Sequence, residues 1–326
     1  MKILILGGTG VLSSSITQKC IEEGHEVVHF NRKKTPNKFS VETICGDRHN
    51  KEDLRKTLAV KPDIVIDMLC FGKEEAENAI DIYKYNVEQY IYCSTSCVYT
   101  PKDKKEIITE KSEAKPISEY GQSKLAAEVE FEKASKEGYF NITIFRPGHV
   151  FNKNFIVNNL TLNGLYVLER MKKNLDVILT DQGERQWQAC HANNIGTAFS
   201  KACGNKRCYN QKYNISGTEV FTWNDIYKIM INELGSKSKI VYLDKDYIIK
   251  TQDEQVDFLN TVTKYNWNHD GSLLKEHIGN YYEKGFIEGI REVISNNISK
   301  TNDDYIENQM YDKLLKYANN KYDGGK

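Results

Sequence analysis

Tyr120 and Lys124 stand four residues apart in the segment Ser118-Glu119-Tyr120-Gly121-Gln122-Ser123-Lys124-Leu125-Ala126-Ala127-Glu128. Its alanine and glutamate content predicts a helix, and positions i and i+4 of a helix emerge on one face. A free tyrosine titrates near ~10 and is a poor base at neutral pH. A lysine ammonium beside it stabilises the phenolate and lowers that value, so that the tyrosine can exchange a proton with an alcohol or a ketone. Upstream, residues 89–93 predict a strand that ends in Ser94-Thr95-Ser96-Cys97-Val98-Tyr99. Hydroxyls at the carboxyl end of a strand border the crevice where open α/β sheets bind their ligands. Tyr-x-x-x-Lys alone is common on helices. It gains weight from the elements that must place it.

The first of these is the start of the chain. The apolar run Ile3-Leu4-Ile5-Leu6 reads as a buried parallel strand, and Gly7-Gly8-Thr9-Gly10 follows it. An amphipathic helix comes next, expected to bury Leu12, Ile16 and Ile21. Strand, glycine turn and helix open a dinucleotide-binding βαβ unit. Gly7 permits the turn, and Gly10 lets the backbone approach a pyrophosphate held by the amides of Val11 and Leu12, with Thr9 beside it. The third glycine of the pattern is Ser13 here. A nicotinamide dinucleotide would also bring a positive ring that favours a Tyr120 phenolate.

Residues 25–31 predict the second strand, whose end meets the adenosine ribose. An acid there would bind the ribose 2′-hydroxyl of NAD. This chain has Asn31-Arg32-Lys33, with no carboxylate and two cations, which favours NADP over NAD. A short third strand ends in Gly46-Asp47-Arg48; Asp47 either faces the adenine or caps a helix over 50–58. The run 61–70 predicts a fourth strand, placing Leu69, Cys70 and Phe71 beside the cofactor, and a helix over 73–85 leads to the fifth. This alternation from 1 to about 148 predicts an α/β fold, a Rossmann-type doubly wound parallel sheet.

After residue 148 the alternation weakens. Residues 149–188 and 217–326 read as a smaller α/β substrate-binding lobe with a C-terminal helix, while 1–148 and about 189–216 form the dinucleotide-binding domain. Pro147 and His149 lie where the chain leaves the sheet, and Asn152 follows. Cys190-His191 is read as returning to the sheet before a helix, with His191 a structural strand histidine. Thr222 and Asp225 read as N-cap and N3 of another helix. A helix over 301–320, with Ile306, Met310, Leu314 and Tyr317 as its stripe, reads as a packing or oligomer surface.

Composition narrows the classes of function. Forty-five Lys and Arg balance 45 Asp and Glu among 326 residues, so charge gives no case for nucleic acid as the main partner. The eight cysteines are scattered, without Cys-x-x-Cys or zinc-finger spacing, so no metal site is expected. Scattered cysteines and the lack of a signal-peptide pattern suggest a reducing cytoplasm. No apolar stretch approaches the ~18 residues of a membrane span.

Gly-Gly-Thr-Gly, Gly-Asp, the Ser-Thr strand end, Tyr-x-x-x-Lys and Phe-Arg-Pro-Gly together resemble the extended short-chain dehydrogenase/reductases, and more narrowly the NAD-dependent epimerase/dehydratase family. The likeness runs to at least residue 295. It implies that Tyr120 is the catalytic acid/base, Lys124 its partner and Thr95 the hydroxyl that holds the reacting group, with Ser94 in second place, and that Pro147 and His149 lie over the nicotinamide as cofactor contacts. It also implies a homodimer through the Tyr120 helix, on which Leu125, Ala126, Val129 and Ala134 are apolar. The segment Val65-Ile-Asp-Met-Leu-Cys-Phe71 further resembles a branch related to chloroplast RNA-binding members. Two departures limit the inference. Sugar 4,6-dehydratases carry Asp-Glu after the threonine, whereas this chain has Ser96-Cys97. Nucleotide-sugar members often place a diphosphate-gripping arginine where this chain has Trp187, and Arg185 stands two residues earlier.

The reading is therefore an NAD(P)-dependent epimerase- or reductase-type oxidoreductase acting on a secondary alcohol or ketone, expected to be that of a nucleotide sugar. Ser96, Asn152 and Arg185 are its candidate substrate contacts. The alternative is a non-catalytic dinucleotide-binding regulator or RNA-associated protein of the same fold.

Overall fold

The computed structural model describes residues 1–34, 37–250, 256–300 and 307–323. Its strands are β1 (Lys2–Leu6), β2 (Glu26–Asn31), β3 (Glu42–Cys45), β4 (Ile64–Asp67), β5 (Gln89–Cys93), β6 (Asn141–Pro147), β7 (His149–Phe151), β8 (Val177–Thr180), β9 (Gln186–Trp187), β10 (Ala189–His191), β11 (Gln211–Ile215), β12 (Phe221–Thr222) and β13 (Ile240–Leu243). Its helices are α1 (Val11–Glu22), α2 (Lys51–Arg55), α3 (Lys73–Tyr83), α4 (Glu119–Lys136), α5 (Gly164–Lys172), α6 (Ala192–Ala202), α7 (Trp223–Leu234), α8 (Lys245–Lys250), α9 (Ser272–Ile278), α10 (Phe286–Asn297) and α11 (Glu307–Asp323).

Seven strands form one sheet in the order β11-β6-β5-β4-β1-β2-β3, and every neighbouring pair is parallel. All the carboxyl ends therefore meet at one edge. The two faces of β1 explain its uninterrupted apolar run. Ile3 and Ile5 pack with Ile16 of α1 and Ile195 and Phe199 of α6, while Leu4 and Leu6 pack with Ala76 and Ala79 of α3 and Ala127 and Phe131 of α4. These four β1 side chains are fully buried, and such burial contributes ~1.5–3 kcal/mol per side chain.

A second core gathers Trp187, Trp223, Trp267, Tyr166, Ile178 and Ile290 with the C-terminal helix α11, which buries Met310, Tyr311, Leu314 and Ala318. Tyr311 sits edge-on to Tyr166 at 4.8 Å between ring centroids. Ile306 lies outside the described residues. Short pairs β8–β13 and β9–β12 frame this core.

Four local expectations change. Ile21 is 38 % exposed, and Cys20 takes the buried place, because α1 presents Ser13, Ile16, Thr17 and Cys20 to the sheet. Asn50, not Asp47, caps α2 by accepting the Glu52 and Asp53 amides; the helix is short and tightens into a 3₁₀ turn over Lys56–Val60. Cys190 and His191 do not rejoin the main sheet, since β10 pairs with β7 in a separate two-stranded ribbon and β11 supplies the seventh strand. Ala134 is buried against the protein's own sheet, which removes it from the outer face of α4. The capping box of Thr222 and Asp225 at the start of α7 is present, each residue bonding the other's backbone.

Candidate active site

The carboxyl edge of the sheet carries a groove of about 520 Å³ between the glycine loop and the ends of β2, β3 and β4. Gly7, Thr9, Gly10, Val11 and Leu12 form one wall, Asn31, Arg32, Lys33 and Lys34 one end, and Asp47, Arg48, Leu69 and Phe71 the other side. Ser13 Oγ accepts the Gly10 amide at 2.8 Å, so the serine at the third-glycine position pins the loop to the helix. The first-turn amides of Val11 and Leu12, at the N-terminus of α1, have no intrahelical partner and line the groove, an arrangement that favours an anion. Asn31 is tied back to the Gly7 carbonyl at 3.3 Å. The three cations after it are exposed. Groove size, glycine backbone, free helix amides and basic end fit a dinucleotide.

Beneath the groove the polar groups are committed. Arg48 is buried on Asp67 at 2.9 Å and also donates to the Glu75 carbonyl at 3.1 Å. Tyr90 donates to the same aspartate at 2.6 Å. Arg48 thus borders the groove while its charge is neutralised from below. Asp47 accepts the His49 amide, and its own amide donates to Asp53.

Tyr120 and Lys124 both lie in the first half of α4, whose N-cap Ser118 accepts the Gly121 amide at 3.1 Å. Gly121 fixes this helix against the turn after β5: a Cβ there would sit 2.3 Å from the Cys97 carbonyl oxygen. That close approach brings Tyr120 to Thr95. Thr95 takes the Cys97 amide at 3.2 Å, and its hydroxyl lies near enough to the Tyr120 phenol to favour the phenolate. Tyr120 is 47 % exposed as a residue, yet its hydroxyl lies among Thr95, Cys97 and Cys93, and burial there holds the phenol above its ordinary value. Lys124 is buried and donates to the Cys70 carbonyl at 2.7 Å and the Cys93 carbonyl at 2.6 Å. Its ammonium also lies over the rings of Tyr92 at 4.5 Å and Phe71 at 5.1 Å. Burial lowers its pKa. Phe71 belongs to both places, lining the groove and lying under the Lys124 ammonium, so the groove borders Lys124.

The remaining candidates scatter. Ser94 Oγ donates to Glu128 at 2.5 Å, and Glu128 pairs with Arg146 in the core, which ties Ser94 to a structural network. Cys70 offers its carbonyl to Lys124, while its thiol is buried and pushed up to about 12 by desolvation. Ser96 is buried in the turn after Thr95. Pro147 ends β6. His149 does not line the groove: its ring stacks on Trp187 at 3.3 Å between centroids, buried and without a hydrogen bond among the described residues. Arg185 is held on the Asp103 carbonyl at 2.7 Å. Asn152 lies in a different cavity, beside His191. Sequence reasoning missed the Cys93 carbonyl, the Ser13 hydroxyl and Lys34, of which only Lys34 had a signal, as the third cation in a row. Among the described residues no cluster of three His, Cys, Asp or Glu could hold a metal, and no helix is long and apolar enough to cross a membrane.

The model of the NAD dependent epimerase/dehydratase family matches residues 3–216. Among curated proteins, 2'-dehydrokanamycin reductase of Streptomyces kanamyceticus is 23 % identical over 90 % of this chain and 83 % of its own length. Chloroplast stem-loop binding protein of 41 kDa b of Arabidopsis thaliana is 27 % identical over 70 % of this chain, and the match spans 61 % of that protein. Among solved structures, UDP-glucuronic acid 4-epimerase from Bacillus cereus, in complex with UDP-glucuronic acid and NAD, superposes with a TM-score of 0.73 at 18 % identity, covering 91 % of this chain and 98 % of that one.

Proposed function

The chain belongs to the NAD dependent epimerase/dehydratase family, and from that premise we propose that it is an NAD(P)-dependent oxidoreductase that exchanges hydride with a secondary alcohol or ketone of a sugar. The observation that carries this reading is that Tyr120 lies near Thr95 on the helix that buries Lys124, with the Lys124 ammonium over the ring of Phe71, which lines a groove suited to a dinucleotide. A bound nicotinamide would supply or accept the hydride. Thr95 holds the reacting oxygen, and Tyr120 gives or takes its proton. Lys124, fixed by two carbonyls, is assigned the positive charge that offsets, in the reacting complex, the burial that holds the Tyr120 phenol above its ordinary value. Arg32, Lys33 and Lys34 supply the preference for NADP over NAD.

The substrate is a sugar carrying a hydroxyl or keto group, with nucleotide sugars the first class to test. Arg185, engaged with Asp103, must leave that contact to grip a diphosphate. Net reduction of a keto-sugar is supported by the reductase relative, and epimerisation by the structural neighbour. Mass spectrometry of the copurifying nucleotide, with its redox state, tests the cofactor. Thermal shift with UDP-, GDP-, dTDP- and CDP-sugars and with free keto-sugars tests the substrate. Steady release of oxidised cofactor marks a reductase, and its recycling an epimerase. If none of these sugars stabilises the cofactor-loaded protein, the sugar assignment falls.

The second reading, an RNA-associated protein of the same fold, draws on the likeness to the chloroplast stem-loop binding protein. An electrophoretic shift with stem-loop RNA at physiological salt separates the two. Dimerisation through α4 is proposed on Val129, which is 54 % exposed, and on half-buried Leu125 and Ala126. A monomer by light scattering at micromolar concentration would refute it.

A further inference from the structure

A second cavity, of about 350 Å³, lies on the other flank of the glycine loop. Its size is within the ~300–1,000 Å³ of small-molecule sites. The floor is the outer face of α1, where Ser14, Ser15 and Gln18 follow Val11. Lys38 borders it on one side. On the other stand Asn152 and Lys153 from the turn after β7, His191 and Asn193 at the start of α6, and Glu292 of α10. It shares Thr9, Gly10 and Val11 with the dinucleotide groove, and Tyr120 does not line it.

The polar groups here are arranged and only half used. His191 is buried; its Nδ1 accepts the Asn193 amide at 3.2 Å, which leaves Nε2 to donate to Glu292 Oε2 at 2.9 Å. Lys284 reaches the same oxygen at 2.9 Å. Glu292 is thereby fixed and kept ionised, and its Oε1 carries no hydrogen bond among the described residues. The amide nitrogens of Asn152 and Asn193 also have no acceptor among them, although Asn152 Oδ1 is taken by the Asn154 amide and Asn193 Oδ1 by Ser15. Neither Lys38 nor Lys153 has an ion-pair partner among the described residues. A carboxylate acceptor and two amide donors lining one cavity suit vicinal hydroxyls, since each hydroxyl both donates and accepts. Two unpaired ammonium groups at the rim suit a phosphate.

We propose that this cavity binds a phosphorylated sugar of hexose size, with Glu292 and the two asparagines on its hydroxyls and Lys38 and Lys153 on its phosphate. The site is separate from the Tyr120 centre. It shares the glycine loop with the dinucleotide groove, so two anions meet across one turn, and each ligand weakens the other.

Calorimetric titration of the whole protein with glucose 6-phosphate, glucose and inorganic phosphate, with and without NADPH, tests this. Glucose 6-phosphate is expected to bind best, with Lys153→Ala weakening it at least tenfold and leaving NADPH affinity within twofold. Glu292→Gln is expected to weaken glucose as well as glucose 6-phosphate; its thermal melt, compared with that of exposed Lys153→Ala, shows whether the His191–Lys284 contact is lost instead. Absence of glucose 6-phosphate binding overturns the proposal, as does binding that is indifferent to Lys153→Ala. It is equally overturned if Lys153→Ala weakens NADPH as much as the sugar phosphate, because the cations then belong to the cofactor's pyrophosphate.

Discussion

Replacing Arg32 by alanine should separate the two nicotinamide cofactors. Arg32, Lys33 and Lys34 are exposed at the ribose end of the groove, and Asn31, where an acid would select NAD, is bound to the Gly7 carbonyl. A unit charge ~4 Å from another contributes ~1 kcal/mol in bulk water and ~4 kcal/mol at the effective dielectric of a protein surface. A charge-assisted hydrogen bond lies between these, at ~1.5–3 kcal/mol. Exposure places Arg32 toward the lower half, and its two neighbours compensate in part. NADPH affinity should therefore fall roughly tenfold, and at most about a hundredfold, while NADH affinity stays within about twofold. The NADPH effect should shrink as salt rises from 50 to 500 mM, because the Debye length drops below ~10 Å. Titration of both reduced cofactors by fluorescence reads this directly. Equal losses for NADPH and NADH would show that Arg32 meets a part common to both. An NADH preference that survives Arg32→Ala would refute the reasoning altogether.

Lys124→Met should lower turnover and move the basic limb of the pH–rate profile upward, because the phenolate loses its charge partner; an unchanged profile would exclude Lys124 as that partner. Gly8→Ala should lower stability by ~2–5 kcal/mol in urea unfolding, since strain at positive φ adds to overpacking: Gly8 has φ +91°, and its Cβ would lie 2.6 Å from the His29 ring, which Thr17 and Asn37 hold by hydrogen bonds. A change within ~0.5 kcal/mol would mean that the loop is free to relax. Stability should also fall with acid. Burial lowers the pKa of His269 to about 4 and leaves both its nitrogens unpaired. The unfolded chain binds a proton below ~6.5 that the folded protein does not, so this stability is complete above ~6.5 and is lost as the pH falls toward 4, by ~3 kcal/mol. His269→Phe should make the fall in melting temperature between pH 7 and 4.5 shallower, with His29 and His149, whose pKa values burial also lowers, carrying the rest; an equally steep fall in that variant would assign the effect to them.

What the sequence revealed follows from the range of the forces involved. The parallel sheet was legible because Ile3-Leu4-Ile5-Leu6 is apolar on both faces, and strand β5 appears with the expected bounds. The placement of Tyr120 and Lys124 on one helix and of Thr95 just after a strand was legible because helix period and strand end are local properties, and α4 and the turn after β5 have that arrangement. The Glu128–Arg146 pair that claims Ser94 was hidden, since it joins residues 18 apart in sequence across the core. The stacking of His149 on Trp187 and the placing of Asn152 beside His191 depend on the β7–β10 ribbon, which no local pattern announces. Ile21 was misplaced because the helical stripe continues through Cys20, and cysteine packs as a small apolar residue.

The central claim is that Tyr120 moves the proton. Tyr120→Phe keeps the ring and its packing while removing the hydroxyl that lies near Thr95. Turnover of the variant and its dinucleotide affinity should be measured together, on the substrate found by the sugar panel. Turnover should fall by ~10²–10⁴ with cofactor affinity within about twofold of the parent. Full activity in Tyr120→Phe would contradict the account.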